Sequence, residues 1–565
     1  MNKQIIQCVP NFSEGRNLSV IKQITDEIEK VDGVKLLDVD PGEATNRTVV
    51  VFVGEPKPVM EAAFRAVRKA AELIDMRQHH GAHPRMGATD VCPLVPISGL
   101  TMAECVEYAR ELGRRIGDEL GIPVYAYEEA AIKPERKNLA IARKGEYEAL
   151  STRFADENEQ PDFGAKVWSE TTAKSGATAV GAREVLIAVN YNLNTTSTRR
   201  ANAIAFDIRE KGRPMREGGS PVGKIQKDEN GNDIMIPGTL PGTKAIGWFI
   251  DEYGIAQVSM NINDTKKAPL HIAFDEVCRC AAERGVRVTG TEIVGVVPKS
   301  TLIDAGKYFL RKQQRSVGLH DEELMKIAIK SMGLDELKPF DPKEKVIEYM
   351  LENHSSKSLV EMTCRGFAEE TASESPAPGG GSIAAYMGSL SAALGTMVAN
   401  LSSHKAGWDA RWEFFSEWAD KGQELMSHLL WLVDEDTEAF NGIMDVFAMP
   451  KSTPEEKAAR AKAMQEATLY ATQIPLETMK ASLKCFPLVK MMAKEGNPNS
   501  VSDAGVGALA ARAAVLGALL NVKINASGLK DRECADKLVA EANEIAAEAC
   551  RLESEVLAIV NAKIG

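Results

Sequence analysis

Up to about residue 298 the chain alternates short β-branched runs with helical stretches; beyond it those runs stop, and from Pro342 onward nearly every segment is rich in Ala, Leu, Met, Glu and Lys at helical spacing. No single architecture accommodates both patterns. With 565 residues the chain also exceeds what one hydrophobic core supports. The first 95 residues read as βαββαβ: "QIIQCV", a helix from Leu18, "VKLLDV", "RTVVVFV", a helix over residues 57–75, then "ATDVCPLVPI". A second copy follows in "EVLIAVNYNL", a helix over 198–211, "KAIGWFID", "IAQVSMNI", a helix over 269–284 and "VRVTGTEIVGVV", with a hairpin turn at 251–254. The expected class is α+β, with two tandem ferredoxin-like subdomains followed by an all-α helical bundle. The prolines of "GLDELKPFDPKEK" mark a linker. The expected boundaries are 1–180, 181–330, a linker over 331–345, and 346–565.

Charge narrows the partners. With 80 acidic and 68 basic residues the net charge is −12, the wrong sign for coating nucleic acid. The nine cysteines form no CxxC pair, which fits a reducing cytoplasm better than a disulfide framework. Residues 375–403 carry no charge, yet Gly, Ala and Ser dominate them, so a buried helix of a soluble protein is expected there rather than a membrane span. Gly388, Ala392, Gly395 and Ala399 give that helix a face with little side-chain bulk.

The stretch "HHGAHPRMGATDV", residues 79–91, crowds three of the eight histidines together. Gly81 and Pro84 disfavour the helix that a four-residue metal-ligand spacing would need, so no metal site is expected. His79 and His80 read as a polar helix end. His83, in a loop entering a strand, is placed to move protons near neutral pH. On a helical wheel of "LLWLVDEDTEAFNGIM", Asp436 falls at the centre of the apolar stripe formed by Leu429, Leu432, Val433, Phe440 and Ile443, whereas Asp434, Glu435 and Glu438 point elsewhere. A carboxylate there is either kept for use or satisfied by a neighbouring hydroxyl. "PAPGGGS" sets Gly379, Gly380 and Gly381 before a helix that Ser382 can cap. "NPNSVSDAG" repeats the device with Ser502 or Asp503. Two such anion-attracting helix starts are expected near Asp436.

"CVPNFSEGRN", "LLDVD", "NRTVVVFVG", "IDMRQHHGAHPRMGATDVCP", "PAPGGGS" and "LVDEDTEAF" together resemble the formiminotransferase-cyclodeaminase family over essentially the whole chain. The resemblance implies transfer of a formimino group from N-formimino-L-glutamate to tetrahydrofolate, then cyclisation to 5,10-methenyltetrahydrofolate with loss of ammonia. It implies His83 and Asp436 as the catalytic residues, small-molecule substrates, a polyglutamylated folate co-substrate and a homo-oligomer such as a ring of dimers. Because the amidine is already cationic, the chemistry does not call for a Lewis acid. Asp40, at a strand end, is a candidate to hold that cation or orient the histidine, or is a turn-forming aspartate. The aperiodic loop 161–178 corresponds to the family's folate-binding region. Phe163 or Trp168 are candidates to stack on the pterin, and Lys166, Lys174 or Arg183 to meet carboxylates, with Gly164 and Gly176 bounding the loop. That loop is longer than in animal members, and residues 217–242 are an insertion. The competing reading is a folate-binding or scaffold protein with one site inactive.

Overall fold

The computed structural model describes residues 4–43, 45–81, 84–219, 223–351 and 358–565. Two compact units emerge, residues 1–301 with 332–352, and 302–331 with 353–565.

In the first unit, β1 (Ile5–Cys8), β2 (Asn11–Phe12), α1 (Leu18–Glu29), β3 (Val34–Gly42), β4 (Arg47–Gly54), α2 (Pro56–Leu73) and β5 (Thr89–Ser98) follow the expected order. β3 pairs with β4, β4 with β1 and β2, and these with β5, all antiparallel. Past α3 (Met102–Leu120) the sheet grows in a way the alternation did not anticipate. β6 (Val124–Glu128) and, after α4 (Glu170–Ser175), β7 (Thr178–Ala182) add in parallel, giving seven strands in which β7 lies between β5 and β6. The strand runs "TVVVFV" and "DVCPLV" bury Val50, Phe52, Cys92 and Leu94 against α2, whose Pro56 stands in the first turn where its missing N–H costs nothing.

The second sheet holds β8 (Ile187–Leu193), β9 (Thr243–Ile250), β10 (Ile255–Ile262) and β11 (Val288–Val294), in the antiparallel order β9-β10-β8-β11. α5 (Thr198–Ile208) and α6 (Leu270–Ala282) are the two helices of the repeat. The expected hairpin joins Ile250 to its partner Ile255, with Gly254 supplying the positive φ. Within the insertion, Met235–Ile236 pairs with Arg213–Pro214, and Asp228 accepts from the amides of Asn230 and Asn232.

The second unit is helical. α7 (Lys299–Lys312) and α8 (Asp321–Met332) precede α9 (Gly380–Ser403), α10 (Trp412–Ala448), α11 (Pro454–Leu483), α12 (Cys485–Glu495), α13 (Val501–Ala526) and α14 (Arg532–Ile564). α9 is central, packed on α10, α11, α12 and α13. Its small-residue face is used up inside this chain: Ala392 and Ala399 are fully buried, Gly388 faces Ser482 and Leu429, and Gly395 faces Leu488. α9 and Pro498–Ala526 are long and apolar enough to cross a membrane by length and composition, and 61% and 44% of their apolar windows are buried within the protein.

Candidate active sites

In the α/β unit, α2 ends at Leu73 and Ile74 turns extended. The chain then runs beneath the β3–β4 turn. His79 is therefore no polar helix end, contrary to the sequence reading. It is 7% exposed, with Nε2 2.9 Å from the Asn46 carbonyl, while Arg85 donates its Nε–H to Nδ1 at 3.3 Å and a terminal N–H to the His79 carbonyl at 3.2 Å. Because the guanidinium occupies Nδ1, the proton sits on Nε2 and the ring is neutral. Burial, ahead of the repulsion from Arg85, holds its pKa below the usual imidazole value. His80 is exposed, and its carbonyl accepts from Asn46 Nδ2 at 3.0 Å. Asn46 itself adopts a left-handed conformation (φ 47°) and accepts the Gly15 amide at 3.0 Å. At Gly81 a side chain would strike the Thr45 carbonyl, whose carbon would stand 2.9 Å from its first atom. His83 and Ala82 lie outside the described residues.

The other flank is held as firmly. Arg85 forms a two-pronged ion pair with Glu148, each contact 2.8 Å, and Asp90 Oδ1 accepts the Met86 amide at 3.0 Å. Asp90 is fully buried between two guanidiniums, bonded to Arg47 and, at 2.7 Å, to Arg143. The sequence reading missed Arg47, Arg85, Asp90, Arg143 and Glu148. Their pairing joins positions up to 63 residues apart, which no local pattern records.

The loop candidates separate. Trp168 packs on Tyr147 (centroids 5.9 Å) and Phe154 (5.7 Å), and Tyr147 lies 5.9 Å from the Arg85 guanidinium. Lys174 donates to the Glu72 carbonyl at 2.8 Å while its own carbonyl accepts the Met76 amide. Gly176 bridges to Gly87. These three border the segment 76–87. Phe163 does not. Its ring lies against Gly113 and 5.8 Å from the Arg114 guanidinium, and Gly164 backs closely onto Gly117. Lys166 is exposed, Arg183 donates to the Glu184 carbonyl at 3.0 Å, and Asp40 is exposed on edge strand β3 opposite Val49. On the second sheet, Trp248 donates to Gln257 (3.0 Å), Gln257 to Asn192 (2.7 Å) and Asn192 to Glu336 (2.8 Å), a polar ladder that the alternating Asn and Gln of "VNYNL" and "IAQVSMNI" foreshadow.

In the helical unit, Leu429, Leu432 and Val433 of the α10 stripe are buried, while Phe440 and Ile443 open onto a cavity of about 210 Å³. Asp436 sits at that transition. Its Oδ2 accepts from Ser382 Oγ at 3.0 Å. Burial raises the carboxyl above its usual range, and the Ser382 hydroxyl and backbone N–H dipole only partly counter this. Ser382 is thus not the cap of α9. Gly379 stands at that position with no side-chain bond, Ser382 is the third helical residue, and the anion at the helix start is the protein's own Asp436. Gly379, Gly380 and Gly381 line the same cavity, as do Asn521 and Asn525 of α13, two polar residues one turn apart in the apolar "LLNVKINA" that the sequence reading passed over. Asp434 accepts from Ser358 Oγ (2.6 Å) and the Leu359 amide (2.7 Å), and Glu435 accepts from the Tyr470 hydroxyl, so both are engaged away from the cavity.

The second expected helix start is not at this site. α13 begins after Ser500, with Asp503 in its first turn, and Asn521 lies eighteen residues further on, about 27 Å along the helix at 1.5 Å per residue. Among the described residues no group of three or more His, Cys, Asp or Glu is placed to hold a metal ion.

Residues 5–183 match the formiminotransferase domain, N-terminal subdomain, residues 188–352 the formiminotransferase domain, and residues 363–544 the formiminotransferase-cyclodeaminase family. The chain is 40% identical over 529 residues to the formimidoyltransferase-cyclodeaminase of Mus musculus, covering 94% of this chain and 93% of that one. It is 41% identical over 308 residues to a glutamate formimidoyltransferase of Streptococcus pyogenes serotype M1 (54% and 94% covered). It is 38% identical over 202 residues to a methenyltetrahydrofolate cyclohydrolase of Methylorubrum extorquens (36% and 97% covered).

Proposed function

Because the chain belongs to the formiminotransferase-cyclodeaminase family, we propose that its α/β unit moves the formimino group of N-formimino-L-glutamate onto tetrahydrofolate and that its helical unit closes the product to 5,10-methenyltetrahydrofolate, releasing ammonia. The observation that carries this reading is the match of each unit to its own activity: the α/β part alone spans a glutamate formimidoyltransferase, and the helical part holds a half-buried carboxylate facing a cavity.

In the transfer step, folate N5 attacks the amidinium carbon, and the bond from that carbon to the glutamate nitrogen breaks. The N5 proton leaves and the departing amine gains one. His83 is the group assigned to both movements, in the order that lets one imidazole serve as base and then acid. Trp168, Lys174 and Gly176 border the same segment and are the loop residues assigned to the ligand, while Asp40, Phe163, Gly164, Lys166 and Arg183 contribute through the surrounding framework. In the cyclisation, N10 attacks the formiminium carbon and that carbon releases NH3. The proton lost by N10 equals the one gained by the leaving nitrogen, so a single carboxylate accepting and returning it balances the step. Asp436 fills that role, since burial brings its pKa toward the working range.

We also read both βαββαβ sheets as ferredoxin-like, on the shared strand order second, third, first, fourth. A polyglutamylated co-substrate, a cytoplasmic setting and a homo-oligomer complete the proposal. The exposed Leu390 and Leu401 of α9 and Leu520 and Ile524 of α13, each 44% or more exposed, support association of copies. The likeness of the helical part to a methenyltetrahydrofolate cyclohydrolase supports a second reading, in which this unit opens the methenyl ring with water. Incubation with tetrahydrofolate and formiminoglutamate decides. Methenyl absorbance appearing with one equivalent of ammonia supports the two-step scheme; no ammonia, with loss of supplied methenyltetrahydrofolate, supports the second.

A further inference from the structure

α13 contributes two polar side chains to the wall of the Asp436 cavity, Asn521 and Asn525, one helical turn apart and both half-buried. Asparagine is a poorer helix former than the alanines and leucines around it, so their presence in an apolar helix calls for a reason. Asn525 has a structural one. Its Nδ2 donates to the Ala471 carbonyl of α11 at 2.6 Å. That carbonyl would ordinarily accept the backbone N–H four residues on, but Pro475 stands there, inside the helix and without an N–H, and the carboxamide takes the vacant position. Asn521 Nδ2 donates to the Gly517 carbonyl of its own helix at 3.1 Å, a bond that no packing defect demands.

Only the nitrogen of a carboxamide can donate to a carbonyl, so these two bonds fix which end of each side chain is which. Both oxygens are left over: neither Oδ1 accepts a hydrogen bond from a described residue. Asn521 Oδ1 lies 3.8 Å from where a side-chain carbon on Gly380 would stand, and Asp436 lies against the next residue, Gly381, so α13 and α10 reach adjacent residues of the α9 start. Among the described residues lining the cavity, Asp436 alone is ionisable, and no Lys, Arg or His is present. A carboxyl group and two amide oxygens with no cation between them suit a ligand group that is positive and rich in N–H. They disfavour one that presents only oxygen.

Resting on the reading that the helical unit acts on a formimino folate, we propose that Asn521 and Asn525 determine its specificity. Their Oδ1 atoms accept from the N–H groups of the formiminium nitrogen, hold the nitrogen that departs as ammonia, and reject a 5-formyl folate, whose oxygen at the same place has no hydrogen to donate. The nitrogen keeps at least two N–H groups from the substrate through the adduct with N10 to the leaving ammonia. The bonds therefore exist in ground and transition states alike, and their loss appears in KM rather than kcat.

The test is Asn521→Ala in the full-length protein, followed as ammonia release from supplied 5-formiminotetrahydrofolate with 5-formyltetrahydrofolate as competing inhibitor. Alanine strands no partner here and favours the helix, so the variant is expected to melt no lower than the parent. KM rises about ten- to a hundredfold, the worth of one hydrogen bond to a charged group, while kcat stays within about threefold and inhibition by the formyl compound is no weaker. Asn525→Ala raises KM likewise and also lowers the thermal midpoint, because it orphans the carbonyl of buried Ala471. Lys523→Ala, exposed on the same helix between the two, keeps the parental KM. An unchanged KM for Asn521→Ala, or formyl inhibition weakened by the same factor as KM, overturns the assignment and leaves the cyclodeaminase reading standing. A parent that releases no ammonia removes that reading, and the assignment with it.

Discussion

Replacing Gly381 with alanine separates helix stability from chemistry at the α9 start. A methyl carbon there would stand 2.5 Å from Asp436 Cγ, whereas ordinary contact begins at 3.4 Å, so the carboxylate must retreat by at least 0.9 Å. Directed along the Ser382 bond, that retreat lengthens a 3.0 Å contact to 3.9 Å, beyond hydrogen-bonding range. A displacement of this size costs about a hundredfold in rate when the group must meet a reacting atom, equivalent to roughly 2.7 kcal/mol of barrier. Yet alanine is the better helix former by about 1 kcal/mol, so the helix itself does not weaken. The expected result is ammonia release from supplied 5-formiminotetrahydrofolate reduced about a hundredfold, with the thermal midpoint unchanged or raised and formimino transfer intact. Gly442→Ala, on α10 with nothing within 4 Å of the added carbon, serves as the control and keeps full activity. If Gly381→Ala released ammonia within about threefold of the parental rate, the placement of Asp436 by Ser382 would not be what the chemistry depends on.

Asp436→Asn is expected to stop ammonia release by about 10²–10⁴-fold while 5-formiminotetrahydrofolate accumulates, measured by chromatography of the folates. His83→Asn is expected to do the reverse, abolishing transfer by at least the same factor while supplied 5-formiminotetrahydrofolate is still cyclised. His79→Asn removes a buried ring engaged on both nitrogens, so a loss of about 1–3 kcal/mol in stability is expected, with transfer lowered through displacement of the Asn46 and Arg85 contacts; denaturant midpoints and steady-state rates report it. Finally, the raised Asp436 carboxyl means the folded protein holds that proton more tightly than the unfolded chain does. Stability from this group is present at low pH and is lost as pH rises from the ordinary carboxylate range through the folded value. Asp436→Asn should therefore melt above the parent at neutral pH, the gap closing on acidification.

What could be read from the sequence was what local pattern encodes. The two βαββαβ alternations, the hairpin at Gly254 and the centring of Asp436 in an apolar stripe depend on spacings within one element. Partners across the chain were not legible. Glycines 379–381 announce a helix start, but that Asp436 occupies it is a contact across 54 residues. "NPNSVSDAG" announces another, and only the length of α13 removes it from Asp436. In the sequence Phe163 is a candidate to stack on the pterin because Gly113, which leaves room for its ring inside the protein, lies on α3, fifty residues away. The reading of His79 as a polar helix end fails for a related cause. The pattern over 57–75 located α2 well but placed its end two residues late, and the Asn46 carbonyl that receives the imidazole belongs to a different turn.

The missing side-chain cap on α9 has a consequence for anyone redesigning the helical unit. A routine stabilising substitution, Gly379→Ser or Gly379→Asp, would present a new oxygen to the first-turn amides beside the Ser382 hydroxyl that holds Asp436. A serine there would leave the Ser382 hydroxyl bond to Asp436 in place, whereas an aspartate, as a second anion, would repel the Asp436 carboxylate. The bare glycine keeps a second anion away from Asp436, so under the proposed mechanism an aspartate cap would gain thermostability at the expense of turnover.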